Sequence, residues 1–158
     1  IFNGFGPWNY PIFHYDSAKA VAQANYNGIQ VGSVGFHFIN LGEWILSACV
    51  LLLGVALFIV VIGHLFGLLF KQRLTVYVAI ILVCTIGYVS ADMLPVALVP
   101  FNPFTYFDIP RVVNGELAFL YDSVLITYGV GIVCLLCASA ITILLSYFIS
   151  TKIKKYIS

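Results

Sequence analysis

The sequence predicts an all-α integral membrane protein with three transmembrane helices. Of its 158 residues, 62% are hydrophobic and only 8% are charged, whereas soluble domains carry about 25% charged residues. Three stretches, 44–70, 74–91 and 123–151, contain no Asp, Glu, Lys or Arg, and a bilayer is crossed by about 20 apolar residues. This composition excludes a soluble enzyme, and a net charge of +1 gives no basic surface for nucleic acid.

We expect the three helices at about 43–70, 74–94 and 123–150, the second ending before Pro95. Lys71 and Arg73 lie between the first two spans, and three lysines follow the third. Positive residues favour the cytoplasmic side, and both groups fall on one side if the spans alternate. The C-terminus is therefore expected inside, with residues 1–42 and 95–122 outside.

The first outer segment, 1–42, is predicted to lie at the membrane interface, because residues 1–15 are rich in aromatic side chains. Asp16 and Ser17 can cap a short helix over 17–24, and we expect a short strand within 29–39. Export of this segment before the first span requires an upstream helix. We therefore expect residues 1–158 to be one transmembrane domain, the C-terminal part of a longer protein.

The second outer segment, 95–122, contains four prolines and many aromatic residues. It is too apolar to extend into water and too broken to span, so an interfacial or re-entrant helical hairpin is predicted. Asp108 and Pro110 can begin a short helix that Asn114 and Gly115 end. A second short helix is expected from Glu116 to Tyr121.

Small residues in the spans predict close helix packing. Gly63 and Gly67 form a GxxxG pair, which lets two helices approach closely. Gly129 and Gly131 in the third span have the same predicted role.

Two ionisable residues in or near the spans are candidates for a polar substrate path, because such residues are functional candidates within a membrane. For His64 the alternative is a neutral ring bonded to a backbone carbonyl. For Asp92 the alternative is an interfacial anchor or helix cap.

Motifs for catalysis and metal binding are absent from the sequence. It has no G-x-x-x-x-G-K-[ST] phosphate loop and no H-E-x-x-H pair, so no catalytic residue and no metal site is predicted. The four cysteines lie in apolar runs and are expected to be small packing residues, although Cys134 and Cys137 form a C-x-x-C pair for which redox or metal use is an alternative.

Residues 101–116, FNPFTYFDIPRVVNGE, resemble the permease subunits of type-2 ABC exporters, especially small Gram-positive bacterial ones that export peptides, lantibiotics or drugs. That family has a broken outer segment between its fifth and sixth helices, often with an N-P-F-x-Y start and an N-G-E-like end. The run LFGLLFKQR at 65–73 is similar to the end of its fourth helix. The matching outer-segment residues are Asn102, Pro103, Phe104, Tyr106, Asn114, Gly115 and Glu116.

The resemblance implies that the three spans are helices four to six of a permease in the bacterial cytoplasmic membrane, with residues 95–122 as its outer gate. The implied partners are the lipid bilayer, a second permease copy or half, and an ABC ATPase subunit that binds ATP and Mg²⁺. This chain itself would hold no cofactor and catalyse nothing. The alternatives are a non-transporting membrane anchor or accessory subunit, and an intramembrane enzyme or channel that uses His64 or Asp92.

Overall fold

The computed structural model describes residues 8–17 and 35–157, with side chains described up to residue 152. The described chain is mostly helical, as predicted. Its strands and α-helices, in chain order, are β1 (Pro11–Tyr15), β2 (Phe36–Asn40), α1 (Leu41–Leu69), α2 (Arg73–Ala91), α3 (Ile109–Val113), α4 (Glu116–Leu120) and α5 (Tyr128–Ile157).

Three of these helices, α1, α2 and α5, are long and apolar enough to cross a membrane. Helix α1 packs against both of the others. Its buried residues recur every three or four positions, which places them on one helix face. At Gly54 the side chain of Leu135 in α5 lies 3.3 Å from where a Cβ would stand, so the two helices approach closely there. The buried residues of α1 are Ser47, Leu51, Val55, Phe58, Val61 and Ile62.

Residues 92–127 connect α2 to α5 and are here called the cap. The cap contains two 3₁₀ turns, Val99–Phe101 and Pro103–Phe107, followed by α3 and α4. Both 3₁₀ segments and α3 have a proline at one of their first two positions. A missing N–H at these positions costs no helical hydrogen bond. The predicted broken segment with two short helices is therefore confirmed, and α3 and α4 begin and end close to the expected residues.

The cap packs on the end of the bundle where α1 begins, α2 ends and α5 begins. Its inner residues join α1 and α5 in one apolar core. The largest of them, Tyr106, is fully buried. The other fully or nearly fully buried apolar residues of the cap are Val99, Pro100, Val112, Val113 and Ile126.

The all-α prediction is wrong in one respect, because β1 and β2 form a two-stranded antiparallel ribbon. Phe13 pairs with Phe38, and His14 pairs with His37. Aromatic residues favour such pleated, half-buried surfaces. The strand expected within 29–39 is found in part, as β2, whereas β1 is not anticipated. The helix expected over 17–24 lies outside the described residues, except for Ser17, which is not helical. Positions 29–34 of the expected strand also lie outside the described residues.

The ribbon leads directly into α1. The first backbone N–H groups of a helix have no partner within the helix. Here the N–H of Leu41 donates to the carbonyl of Tyr10 at 2.9 Å, and that of Gly42 donates to the carbonyl of Trp8 at 3.0 Å. The segment before β1 thus satisfies the start of α1 and fixes the ribbon to it.

The helix ends differ from the predictions most clearly in three places, the third being the end of α5, which continues to Ile157 instead of stopping at about residue 150. Helix α2 ends at Ala91, so residues 92–94 belong to the cap rather than to the span. The left-handed backbone of Asp122, with φ 45°, ends the helical stretch before it. Helix α5 begins at Tyr128 instead of Ser123, because residues 123–127 form a turn in which the N–H of Ile126 donates to the carbonyl of Ser123 at 3.4 Å. The Thr127 hydroxyl then accepts from the Val130 N–H at 3.3 Å and caps α5.

Candidate functional site

The cap is seated on the helices by two aromatic rings that lie against glycines. The Tyr106 ring lies against Gly131 of α5, and the Phe104 ring lies 2.5 Å from where a Cβ on Gly87 of α2 would stand. Any larger residue at either glycine would overlap its ring. The motif residues Phe104 and Tyr106 are therefore the contacts between the cap and two different helices.

Internal hydrogen bonds fix the conformation that presents these rings. The side chain of Asn102 accepts from the N–H of Phe104 at 3.1 Å, which caps the turn that begins at Pro103. The Thr105 hydroxyl donates to the Val99 carbonyl at 2.9 Å.

The Tyr106 hydroxyl donates to the Pro100 carbonyl at 2.7 Å. Burial raises the pKa of Tyr106 well above its usual value, because the charged phenolate would lose its hydration. The raised pKa favours the protonated phenol, which is the form that donates the bond to Pro100.

A second set of contacts joins the cap to α1 and to the ribbon. The indole N–H of Trp44 donates to the side-chain oxygen of Asn114, and the backbone carbonyl of Asn114 accepts from the N–H of Tyr15 at 2.7 Å. Gly115 has φ +74°, and a Cβ there would overlap the Tyr15 carbonyl and the His14 ring. Glycine is required here both by the positive φ angle and by the lack of space for a Cβ.

Polar side chains gather at the surface where α2 meets the cap. Tyr121 donates to Asp92 at 2.6 Å, and Arg111 forms an ion pair of 3.1 Å with Glu116. Burial, followed by the hydrogen bond and the charge of Asp92, raises the pKa of Tyr121 to about 12. Asp92 is the first residue after α2, and its carboxylate bonds to Tyr121 of the cap rather than to the backbone of that helix.

Asp108 belongs to the same polar surface. It precedes α3 but makes no side-chain capping bond. Its carboxylate instead accepts from Tyr88 at 3.4 Å and lies 3.7 Å from Arg111.

His64 lies near the opposite end of the bundle from Asp92, so the structure does not bring the two candidate path residues together. His64 is exposed and lines a cavity of about 300 Å³ with Ser146 and Tyr147. No residue in the described part of the chain forms a hydrogen bond with it, so the expected bond to a backbone carbonyl is not found there.

The predicted packing glycines have two different environments. A Cβ on Gly63 would lie 3.3 Å from Ile80 of α2, and Gly131 contacts the cap. A Cβ on Gly67 would meet no atom within 4 Å. A Cβ on Gly129 would meet only the Thr127 hydroxyl, at 4.0 Å. Gly67 lines a groove of about 390 Å³ between α1 and α2, at the end where Lys71 and Arg73 lie.

One cluster of side chains is absent from the predictions. A ring nitrogen of His14, a ring nitrogen of His37 and a carboxylate oxygen of Asp16 all lie within 4.8 Å of one another. Burial, and then the neighbouring His37, lower the pKa of His14, so its neutral form is favoured. The signal for this cluster is the spacing His14-x-Asp16 at the end of β1. It becomes informative only once His37 is known to pair with His14 across the ribbon.

Comparison with protein-family models, curated proteins and solved structures finds no match for this chain. Its class is therefore defined by its own geometry. The chain has three helices suited to crossing a membrane, and a packed cap covers one end of all three.

Proposed function

We propose that this chain is a membrane-spanning permease subunit of an ATP-driven ABC exporter and that the cap is its outer gate. The observation that carries this proposal is the position of the cap, which touches α1, α2 and α5 at one end through Trp44, Gly87 and Gly131. A segment seated on all three helices is sensitive to a change in their relative positions. It is therefore suited to open and close a path between them.

The exposed surfaces of the helices support a path completed by another chain. In the most apolar part of α2 only 11% of residues are buried within this chain, so lipid and a second permease copy or half would cover the rest. Two buried hydroxyls of α5 bond to their own helix: Ser139 donates to Leu135 and Ser146 donates to Thr142. They offer no polar path within a single copy.

The orientation follows from charge. Lys71 and Arg73 lie at the end opposite the cap, and by the positive-inside rule these cations support a cytoplasmic position for that end. Exposed aromatic residues of the ribbon, including Phe36 and Phe38, are suited to the outer membrane interface. In this proposal a separate ATPase supplies ATP and Mg²⁺ chemistry from the cytoplasmic side. Differential affinity for substrate in the two states gives direction to transport.

The gate is tested by thiol labelling at Thr105, which is 3% exposed beneath the cap surface. The Thr105→Cys substitution is introduced into the full-length protein. Intact cells that produce this variant are treated with a membrane-impermeant maleimide, with and without depletion of ATP. The control is Val124→Cys in the same cap, at a residue that is 47% exposed. The background variant carries alanine at the four native cysteines, Cys49, Cys84, Cys134 and Cys137.

We expect Thr105→Cys to be labelled in energised cells and protected in depleted cells, whereas Val124→Cys is labelled equally in both. Equal protection of Thr105→Cys under both conditions contradicts a moving gate and supports the alternative, a non-transporting anchor or accessory subunit. Labelling of Val124→Cys only after the cells are broken open contradicts the outer placement of the cap.

A further inference from the structure

The ribbon places three metal-ligating side chains on one of its faces. His14 and Asp16 are two residues apart, so their side chains leave the same side of the extended chain. His37 is the cross-strand partner of His14, and the two imidazole centroids are 4.6 Å apart. The opposite face of the ribbon is formed by aromatic residues, among them Phe13, Phe36 and Phe38.

The distances between the donor atoms are close to those around a bound ion. The Nδ1 atom of His37 lies 3.0 Å from Oδ1 of Asp16, and all three donor groups lie within 4.8 Å. Ligands in a tetrahedral zinc site are about 3.3 Å apart, as follows from metal–ligand bonds of about 2.0 Å. The side chain of His37 is 53% exposed and can move to close the remaining distance.

One of the three residues, His14, has a buried ring nitrogen without a partner. Among the described residues, none forms a hydrogen bond with Nδ1 of His14, although this atom is buried. A buried polar atom without a partner is costly, and a bound ion is one ordinary explanation of it. Coordination through Nδ1 would satisfy this atom.

We propose that His14, Asp16 and His37 bind a divalent transition-metal ion of the zinc class. Two imidazoles and one carboxylate form a typical three-ligand zinc set that leaves one position open, and imidazole is poorly suited to the hard ions Mg²⁺ and Ca²⁺. The charge of Asp16 offsets part of the charge of the ion. The negative charge of Glu43 also reaches His14.

The bound ion would act as a clip between β1 and β2. It would join positions 14 and 16 to position 37, and so fix the ribbon register next to Gly115 of the cap. A cavity of about 240 Å³ beside His14 and Asp16 leaves room for a fourth ligand such as water. This proposal does not depend on the transport function, since zinc binding requires no ATPase.

The test uses the full-length protein purified in detergent, stripped with chelator and titrated with Zn²⁺ against a fluorescent zinc indicator. We expect one saturable Zn²⁺ per chain and no displacement by equal concentrations of Mg²⁺ or Ca²⁺. Asp16→Asn and His37→Gln keep side-chain size and polarity, and each should weaken Zn²⁺ affinity by at least about tenfold, because each removes one of three ligands. The control, His64→Gln, alters a histidine far from the ribbon and should bind as the wild type does.

A second readout separates loss of the site from loss of the fold. Zn²⁺ should raise the unfolding temperature of the wild type and of His64→Gln, but not that of Asp16→Asn or His37→Gln, because a ligand stabilises only the state that binds it. The proposal is overturned if the wild type binds no Zn²⁺, or if Asp16→Asn and His37→Gln bind as tightly as the wild type. It is also overturned if His64→Gln loses the same affinity or if Ca²⁺ displaces the ion.

Discussion

The ring of Tyr106 lies directly against Gly131, at a point where any Cβ on α5 would overlap it. This contact, with the Tyr106 hydroxyl bonded to Pro100, fixes the cap to the first turns of α5. Gly131→Ala should therefore destabilise the protein by about 1–3 kcal/mol, the usual cost of overpacking. Gly129→Ala is the matched control, since it lies two residues earlier in open space and should be neutral or slightly stabilising. Thermal unfolding in detergent measures both, and equal unfolding temperatures for the two variants would contradict the contact.

Gly115 joins the cap to the ribbon through a backbone contact. Asn tolerates a positive φ better than Ala does, so a purely conformational requirement would be met by Gly115→Asn. The Tyr15 carbonyl, however, occupies the place of any Cβ. We expect Gly115→Ala and Gly115→Asn to destabilise the protein alike, by more than about 1 kcal/mol. Wild-type stability of Gly115→Asn would show that only the φ angle matters.

The hydrogen bond from Trp44 to Asn114 couples α1 to the cap. Trp44→Phe and Asn114→Ala should each lose about 0.5–1.5 kcal/mol of stability, in addition to any loss of packing. In a double-mutant cycle the two losses should add up to more than the loss of the double variant, because both remove the same bond. Strict additivity of the two losses would indicate that the bond contributes nothing.

The Tyr121 phenol is expected to ionise only at strongly alkaline pH. Its folded-state pKa of about 12 is above the ordinary tyrosine value of about 10, so Tyr121 stabilises the fold fully below pH 10. That contribution is lost as the pH rises from 10 towards 12, because the unfolded phenol releases its proton first.

Ultraviolet absorption measures this titration as the difference between the wild type and Tyr121→Phe. Asp92→Asn should lower the pKa but leave it above 10, because burial is the larger cause. An ordinary pKa of 10 in the wild type would contradict the bond between Tyr121 and Asp92.

Leucine substitutions at the two GxxxG glycines should affect different properties, namely the stability of one subunit and the pairing of two. Gly63→Leu meets Ile80 of α2 and should lower the stability of a single subunit. Gly67→Leu points into open space within this chain, so it should leave the fold unchanged and weaken pairing with a second permease copy. Thermal unfolding and crosslinking in the membrane measure the two effects. Unchanged crosslinking and transport in Gly67→Leu would exclude the GxxxG face from the interface.

Much of the fold is predictable from local pattern. The three spans follow from length and lack of charge, and the helix ending at Asn114 and Gly115 follows from turn chemistry. The start of α5 is not predictable in this way, because residues 123–127 carry no charge and match the span in composition, yet they form a turn. The role of Gly87 also depends on a contact with Phe104, which is 17 positions away in the chain.

The same distinction applies to the site. The motif from Asn102 to Glu116 is visible in the sequence, since its members are neighbours. The cluster of His14, Asp16 and His37 is formed by strand pairing over more than 20 residues, and no local pattern reveals that register. His64 and Asp92 attract attention as ionisable residues near spans, but the fold separates them.

The central claim, a permease driven by a partner ATPase, is tested most directly by purifying the full-length protein from its native membrane in mild detergent. Mass spectrometry then identifies the proteins that accompany it. We predict a stoichiometric partner with a G-x-x-x-x-G-K-[ST] phosphate loop, the motif that this chain lacks. A stable preparation in which no such ATPase accompanies the protein would contradict the claim.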